Sequence, residues 1–442
     1  MTTCAVNLLE WETAEPTQGS GLEGDVLAGN SAAQLLADNL TKSGCIEVLR
    51  LARGLELRAS SYVGRFTLGA ITVTIRPKIT GAPLMNLLRY AYRLRHLDLF
   101  TEASYAAAQA SFEDLLIHQL AAEASELLAR GLHRDYRRTE ASFASPRGRI
   151  AFASYVRVAA SAGGTLPCVY HPRSEDILLN QVLQGGLFLS SRITQEAELR
   201  GRVRRLAKSF ASDITTTDLD PTILSEAWHS LDRRTSAYEP ALKLIHILLQ
   251  TQGASLADPW PALPASGFLF DMNRFFQALL SRFLGEHLDG YELEDERTLR
   301  GMFTFDPTHN PRSAESPSLR PDFLVLRKQR IQAVLDAKYR DLWKNDLPRE
   351  MLYQLALYAL GQSVPERRAT ILYPTLEDAA REQIILVNDP LRGAAKAQVI
   401  LRPVDLVRLD HLLTAKGAGA QRRLGEFAQF LAFGNQPQSP NN

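Results

Sequence analysis

Four short runs of β-forming residues stand out between positions 46 and 79: Ile46-Glu47-Val48, Leu55-Glu56-Leu57, Tyr62-Val63 and Ile71-Thr72-Val73-Thr74-Ile75. Gly54, Gly64 and Gly69 punctuate them, which predicts a meander of about four strands. Ahead of it, residues 1–45 are weakly patterned, with one helix expected over 31–39. Pro83 then opens a helix through Leu87, Leu88 and Tyr92, a position that suits proline's fixed φ. A stronger helix starts at Ser111, with Asp114 three residues on in a capping-box-like arrangement. Leu115, Leu116, Leu120, Leu127 and Leu128 follow, and Gly131 ends it.

Residues 173–252 read as largely helical. One helix is expected over 176–189, with Ser174 as N-cap and a bend at Gly185-Gly186. Others are expected over 199–210 and, after Pro240, over 241–250. The Gly-, Ala- and Pro-rich stretch 252–266 reads as a linker. Beyond it, Phe268-Leu269-Phe270 leads to Asp271, a good N-cap, and apolar positions 275, 276, 279, 280, 283, 284 and 288 give helical periodicity. Two strands then fall within 320–339, joined by a short basic turn. A helix over 351–360 follows, then the strand Ala369-Thr370-Ile371-Leu372-Tyr373 closed by Pro374. Strands at 383–387 and 398–401, a helix over 406–413 and a polar, disordered tail after Asn435 complete the chain. The predicted fold class is α/β, mixed α+β overall. A β-containing N-terminal region (1–145) precedes a helical middle region (146–260) and a C-terminal region (261–442) with a mixed sheet flanked by helices.

A length of 442 residues suits two or three domains. The net charge of +1 gives no global attraction to nucleic acid, so DNA contact would need local patches. One such patch is the 199–210 helix, where Arg200, Arg204 and Lys208 share a face at i, i+4 spacing. The arginines of 133–138 and 145–150 suit either a solvated surface with structural ion pairs or contact with DNA or an acidic partner. Three scattered cysteines form neither a disulfide framework nor a zinc site. No secretory signal and no membrane-length apolar run is visible, so a cytoplasmic protein with no membrane partner is expected. Absence of G-x-x-x-x-G-K-[ST], G-x-S-x-G and H-E-x-x-H removes P-loop nucleotide binding and the commonest hydrolases.

Candidate chemistry concentrates at 320–339. Asp322 opens the first strand, and Asp336 and Lys338 lie near the end of the second. Side chains alternate along a strand, so Asp336 and Lys338 share a face roughly 7 Å apart along the backbone, and hairpin pairing brings Asp322 towards them. Two carboxylates and a lysine at one point suit a divalent metal and a water on a phosphodiester. Mg²⁺ takes hard oxygen ligands, here Asp322, Asp336 and the Ala337 backbone carbonyl, with Mn²⁺ as a substitute. Lys338 would stabilise the developing charge.

Pro321-Asp322 with Asp336-Ala337-Lys338 resembles the PD-(D/E)xK nuclease motif. Gln354 and Tyr358, i, i+4 on the next helix, resemble the QxxxY element of RecB-like members, and that resemblance implies a role in positioning substrate and site. The wider chain resembles the McrC family, the nuclease subunits of McrBC-type modification-dependent (type IV) restriction systems. The matching stretches are Ile75-Arg76-Pro77-Lys78-Ile79, Ser145-Pro146-Arg147-Gly148-Arg149-Ile150, Tyr170 to Asn180 and Phe268-Leu269-Phe270-Asp271-Met272-Asn273, with the 322/336–338 site. The resemblance implies an Mg²⁺-dependent DNA endonuclease acting on modified (5-methylcytosine-type) DNA. It also implies an McrB-like AAA+ partner that binds and hydrolyses GTP, which this chain itself does not bind, and whose GTPase the N-terminal part stimulates. One departure stands out. The family usually presents a glutamate on the helix after Asp-Met-Asn, and Gln277 occupies that place, a further metal-ligand candidate without charge. Glu286 lies on the opposite helix face, while Asp271, Glu292 and Glu294 remain substitutes. Two alternatives follow: a partner-independent RecB-like nuclease, against which the near-neutral charge weighs, and a catalytically weakened adaptor that activates the AAA+ ring.

Overall fold

The structure is a computed structural model and describes residues 4–24, 26–94, 112–158, 165–210, 214–250, 268–362, 367–417 and 419–434. The expected linker, the polar tail and the Ser111 cap lie outside the described residues. The predicted meander divides between two sheets. Strand β1 (Cys4–Leu9) is followed by β2 (Thr13–Ala14), helix α1 (Ser31–Lys42) and the hairpin β3 (Ile46–Leu51) and β4 (Gly54–Ala59). These last two strands join β2 in a sheet of order β2-β4-β3. The next hairpin, β5 (Tyr62–Leu68) and β6 (Ile71–Arg76), belongs elsewhere, because β1 pairs parallel with β6 and supplies Val6 and Leu8 to the same buried face. Only those two residues of β1 are buried, too short an alternation to stand out in sequence. Helix α2 (Gly81–Tyr92) follows, with Pro83 in its first turn.

Helix α3 (Phe112–Arg130) ends at Gly131 (φ +86°), as its pattern predicts. The strands β7 (Asp135–Tyr136), β8 (Thr139–Phe143) and β9 (Arg149–Ile150), helix α4 (Phe152–Val158), and strands β10 (Leu166–Tyr170) and β11 (Arg173–Ser174) then form two small sheets. Here Arg134 pairs with Glu175, Arg137 with Asp176, and Arg147 lies over the rings of Phe143 and Tyr170, so these arginines have structural partners. The next helix, α5 (Leu178–Ile193), starts two residues later than expected. The Ser174 hydroxyl accepts from the Asp176 amide instead of capping a helix at 176. Nor is there an interruption at Gly185-Gly186. Both glycines sit inside one continuous helix, where a Cβ would come 2.9 Å from Leu219 and 2.5 Å from Ile245. They serve close packing against the connection at Thr217 and Leu219 and against Ile245. The helices that follow are α6 (Ala197–Lys208), α7 (Pro221–His229) and α8 (Glu239–Gln250).

Strand β12 (Phe268–Asp271) leads straight into α9 (Met272–His287), as its sequence predicts. The remaining elements are β13 (Glu292–Asp295), β14 (Phe323–Arg327), β15 (Arg330–Ala337), α10 (Arg349–Leu360), β16 (Arg368–Thr375), β17 (Gln383–Asn388), β18 (Ala395–Asp405), α11 (Leu406–Thr414) and α12 (Ala420–Phe433). A six-stranded mixed sheet has the order β13-β14-β15-β16-β18-β17, with β15, β16 and β18 parallel. Strand β16 runs past the proline expected to close it. Strand β15 stops pairing at Leu372, so Pro374, which has no N–H, faces an edge that asks for no donor. Alternation divides the sheet: Leu324, Leu326 and Val334 pack with α10, whereas Phe323, Val325 and Leu335 join the large core with α9 and α12. Among the described residues no helix is long and apolar enough to cross a membrane.

The sheet β1-β6-β5-β12 ties the two ends of the chain together, since β12 pairs antiparallel with β5. Gly64, predicted as a turn, lies inside β5 at φ +132°, where a Cβ would overlap the Phe268 carbonyl. Gly64→Ala should therefore destabilise the protein by about 2–3 kcal/mol, read as a drop of several degrees in melting temperature. An unchanged melting temperature would show that β12 does not depend on this approach.

Candidate active site

Register places Phe323 opposite Leu335, so the residues just before β14 and near the end of β15 meet at one end of the sheet. There the Lys338 ammonium lies 3.2 Å from Asp336 Oδ2 and 3.9 Å from Asp322 Oδ2. Asp322 Oδ2 also accepts the Ala337 amide at 2.7 Å. The N–H and C=O of one extended residue leave a strand on the same edge, so the Ala337 carbonyl is on the Asp322 side. The Lys338 amide donates to Leu372 O at 3.0 Å, anchoring this strand end to β16.

The electrostatics are those of a crowded, partly dry site. Burial, and then the neighbouring Asp336 charge, push Asp322 up to about 6, against the pull of Lys338 and the Ala337 amide. Burial likewise raises Asp336, with Lys338 opposing it. Burial alone would lower Lys338, but the two carboxylates outweigh it and hold the ammonium above its ordinary value. On α10, Gln354 donates to the Tyr358 hydroxyl at 2.8 Å. Tyr358 is raised by burial first, and then by the Asp336 and Asp322 charges, so the helix pair lies within the field of the hairpin groups.

Gln277, on α9, reaches the same place. Its amide nitrogen lies 3.3 Å from Asp322 Oδ1 and 3.2 Å from Glu296 Oε1. Glu296 is the residue the sequence reading misses. It follows β13, an edge strand with a single apolar residue and hence no strand signal, and its amide donates to Asp322 O at 2.9 Å. Continuing the Glu292, Glu294 alternation by one step would have found it. Arg320 pairs with its carboxylate. The other substitutes considered have separate duties: Glu294 pairs with Arg297, Glu292 accepts from Gln329, and Asp271 caps α9 through Asn273. Glu286 accepts from Tyr90 and Arg282.

A family model described as McrBC 5-methylcytosine restriction system component matches residues 57–374, well over half the chain. The chain belongs to the McrBC family. A chain from the refined half-complex of the tetradecameric assembly of Thermococcus gammatolerans McrB AAA+ hexamers with bound McrC is similar over 97% of this chain and 100% of its own, at TM-score 0.62 and 18% identity. A chain from the cryo-EM structure of the Thermococcus gammatolerans McrBC complex covers 65% of this chain and 89% of its own, at TM-score 0.47 and 19% identity. No curated relative matches the sequence.

Among the described residues of this McrBC-family chain, no group of three or more His, Cys, Asp or Glu residues is placed to hold a metal ion. The donor set at the hairpin still suits Mg²⁺, which binds through one or two carboxylates and keeps several waters. Two buried carboxylates with raised proton affinity share one lysine, so a divalent cation would relieve their repulsion. Two hollows, each of about 1,100 Å³ (1070 and 1060 Å³), flank the site. One is lined by Gln277, Glu296, Arg93, Lys243 and Arg274, the other by Tyr358, Arg297, Arg300 and Arg330. The predicted basic stripe is not part of either lining. Arg200 donates to Thr194 O at 2.7 Å, behind the C-terminus of α5, while Arg204 and Lys208 are exposed.

An aspartate whose folded pKa exceeds its unfolded value of ~3.9 holds its proton more tightly when folded. Its stabilising contribution is complete below the unfolded value and falls as pH rises through the folded one, here about 6. In metal-free protein, Asp322→Asn should match wild type near the unfolded value and exceed it by ~1–3 kcal/mol above the folded one. Thermal melts in EDTA across this range check it. A variant no more stable than wild type at neutral pH would contradict the buried-charge account.

Proposed function

We propose that this chain is the DNA endonuclease subunit of a modification-dependent restriction system, cutting by Mg²⁺-dependent phosphodiester hydrolysis with an McrB-like AAA+ GTPase as partner. The observation that carries the reading is the convergence of Asp322, Asp336 and Lys338 at one strand end in a chain of the McrBC family. Asp322, Asp336 and the Ala337 carbonyl would hold the cation, with Gln277 offering its amide oxygen after a flip. Bound there, Mg²⁺ (or Mn²⁺) would polarise the scissile phosphate and acidify a water. Lys338 would orient the attacking water and face the charge that develops on the phosphate. Gln354 holds Tyr358 towards the same end of the sheet. The arginine-bearing hollows on either side suit the flanking phosphates of the cleaved strand better than the stripe at Arg200, Arg204 and Lys208 does. The similarity to a chain from an assembly of McrB AAA+ hexamers with bound McrC supports the partner. On this reading the partner supplies GTP hydrolysis and recognition of 5-methylcytosine-type modification.

With purified partner, GTP, Mg²⁺ and methylated DNA, wild type should cleave, and Asp336→Ala or Lys338→Ala should lose at least ~100-fold while still stimulating partner GTPase. Full cleavage by either variant would displace the site. The position of Gln277 motivates the second reading, an adaptor that activates the ring without cutting, which predicts GTPase stimulation with no cleavage under any divalent metal. Gln277→Glu discriminates further. By adding a carboxylate beside Asp322, it should lower the Mg²⁺ concentration needed for half-maximal cleavage, measured by metal titration. An unchanged or higher requirement would place Gln277 outside the metal's reach.

A further inference from the structure

Tyr339, next to Lys338, is buried, and each of its three polar groups is held from outside the nuclease-like sheet. Its amide donates to Asn273 Oδ1 at 2.9 Å, its carbonyl accepts the Trp11 indole N–H at 3.1 Å, and its hydroxyl donates to Glu10 Oε1 at 3.1 Å. The holders are themselves fixed. Asn273 Nδ2 donates to Ser61 Oγ at 2.7 Å, and its own amide donates to Asp271 Oδ1. The Trp11 amide donates to Ser60 O at 3.2 Å, in a backbone held at φ +63°. Glu10 receives the Lys78 amide at 2.9 Å and donates its own amide to Arg76 O. Every holder is thus rooted in the N-terminal sheets or in the first turn of α9.

We propose that Glu10, Trp11 and Asn273 are positioning residues for Lys338, forming a clamp on Tyr339 through which the N-terminal sheets set the catalytic geometry. The inference rests on the nuclease reading for the role of Lys338. Beyond Ala337 the strand ladder is nearly spent. The Lys338 amide bonds Leu372, and the next residue has the clamp for its polar groups. Successive side chains point to opposite faces, so Tyr339 packs against Phe276 (ring centroids 5.9 Å) while Lys338 faces Asp336 and Asp322. Fixing the amide, carbonyl and hydroxyl of residue 339 fixes the twist of the strand end, and with it the line along which the lysine leaves the backbone. Displacement of a catalytic group by about 1 Å can cost on the order of 100-fold in rate. Any strain that a partner applies to the N-terminal sheets reaches Lys338 by the same route.

The test uses the full chain with its partner, GTP, Mg²⁺ and methylated DNA. Trp11→Phe keeps an aromatic ring but removes the indole donor together with part of the bicycle, and Asn273→Ala removes the acceptor. Both should lower kcat at least ~10-fold with KM for DNA within about twofold. Asn273→Asp, which keeps the acceptor, should restore most of kcat. Gly186→Ala, which crowds Ile245 in the helical region, is the control for stability loss and should leave kcat unchanged. Independently of cleavage, the ε-carbon signal of Lys338 in [ε-¹³C]lysine-labelled protein, assigned with Lys338→Arg, should shift in Trp11→Phe and Asn273→Ala but not in Gly186→Ala. If Asn273→Ala does not fold, Trp11→Phe decides. Unchanged kcat and an unmoved Lys338 signal in folded Trp11→Phe overturn the clamp. If wild type itself does not cut, the nuclease reading fails, and the signal alone still decides whether residue 339 sets the lysine's position.

Discussion

Two carboxylates buried side by side, with one ammonium between them, are the constraint around which the C-terminal half is arranged. Charges out of water repel or attract far more strongly than charges in it, so Lys338, held close to both Asp322 and Asp336, offsets the repulsion of their shared site. That demands a stiff frame. The frame is a mixed sheet covered on both faces, with α10 on the side that bears the charged groups and α9 and α12 on the other. A surface hairpin could carry the same three residues, but solvent would separate them and leave their proton affinities near ordinary values.

The hairpin motif was legible because strand alternation needs only local sequence: 336 and 338 fall on one face by counting, and pairing of the two adjacent strands brings 322 to them. The helix with Gln354 and Tyr358, the Asp271 cap and the long periodicity of α9 were legible for the same reason. What escaped was non-local. Strand β1 shows two buried residues and becomes a strand only through β6, and Glu296 joins the site only because β13 pairs with β14. From local sequence, Gly64 and the Gly185-Gly186 pair suggest a turn and a bend, the ordinary local meaning of glycine. Here each is a place where another segment comes too near for a Cβ. Pro374 misled in the converse way, since a proline ends a strand only where its missing N–H is wanted.

Belonging to the McrBC family gives the chain its context, and the geometry says what this member brings to it. Gln277 is one example. Bridging Asp322 and Glu296, its amide satisfies two acceptors without adding to the negative charge already crowded there. A glutamate in its place would add a further negative charge to that crowding.

The pairing of β12 with β5 also has a consequence in time. Strand β5 ends at Leu68, but its partner begins at Phe268, 200 residues later. At a synthesis rate of roughly 5–20 residues per second, the ribosome needs on the order of 10–40 s to deliver that partner. Through that interval the N-terminal sheet has an open edge, the kind of edge that recruits the wrong chain. Cellular yield of this protein should therefore be sensitive to the pace of translation between those two strands, and to whatever shields β5 while it waits.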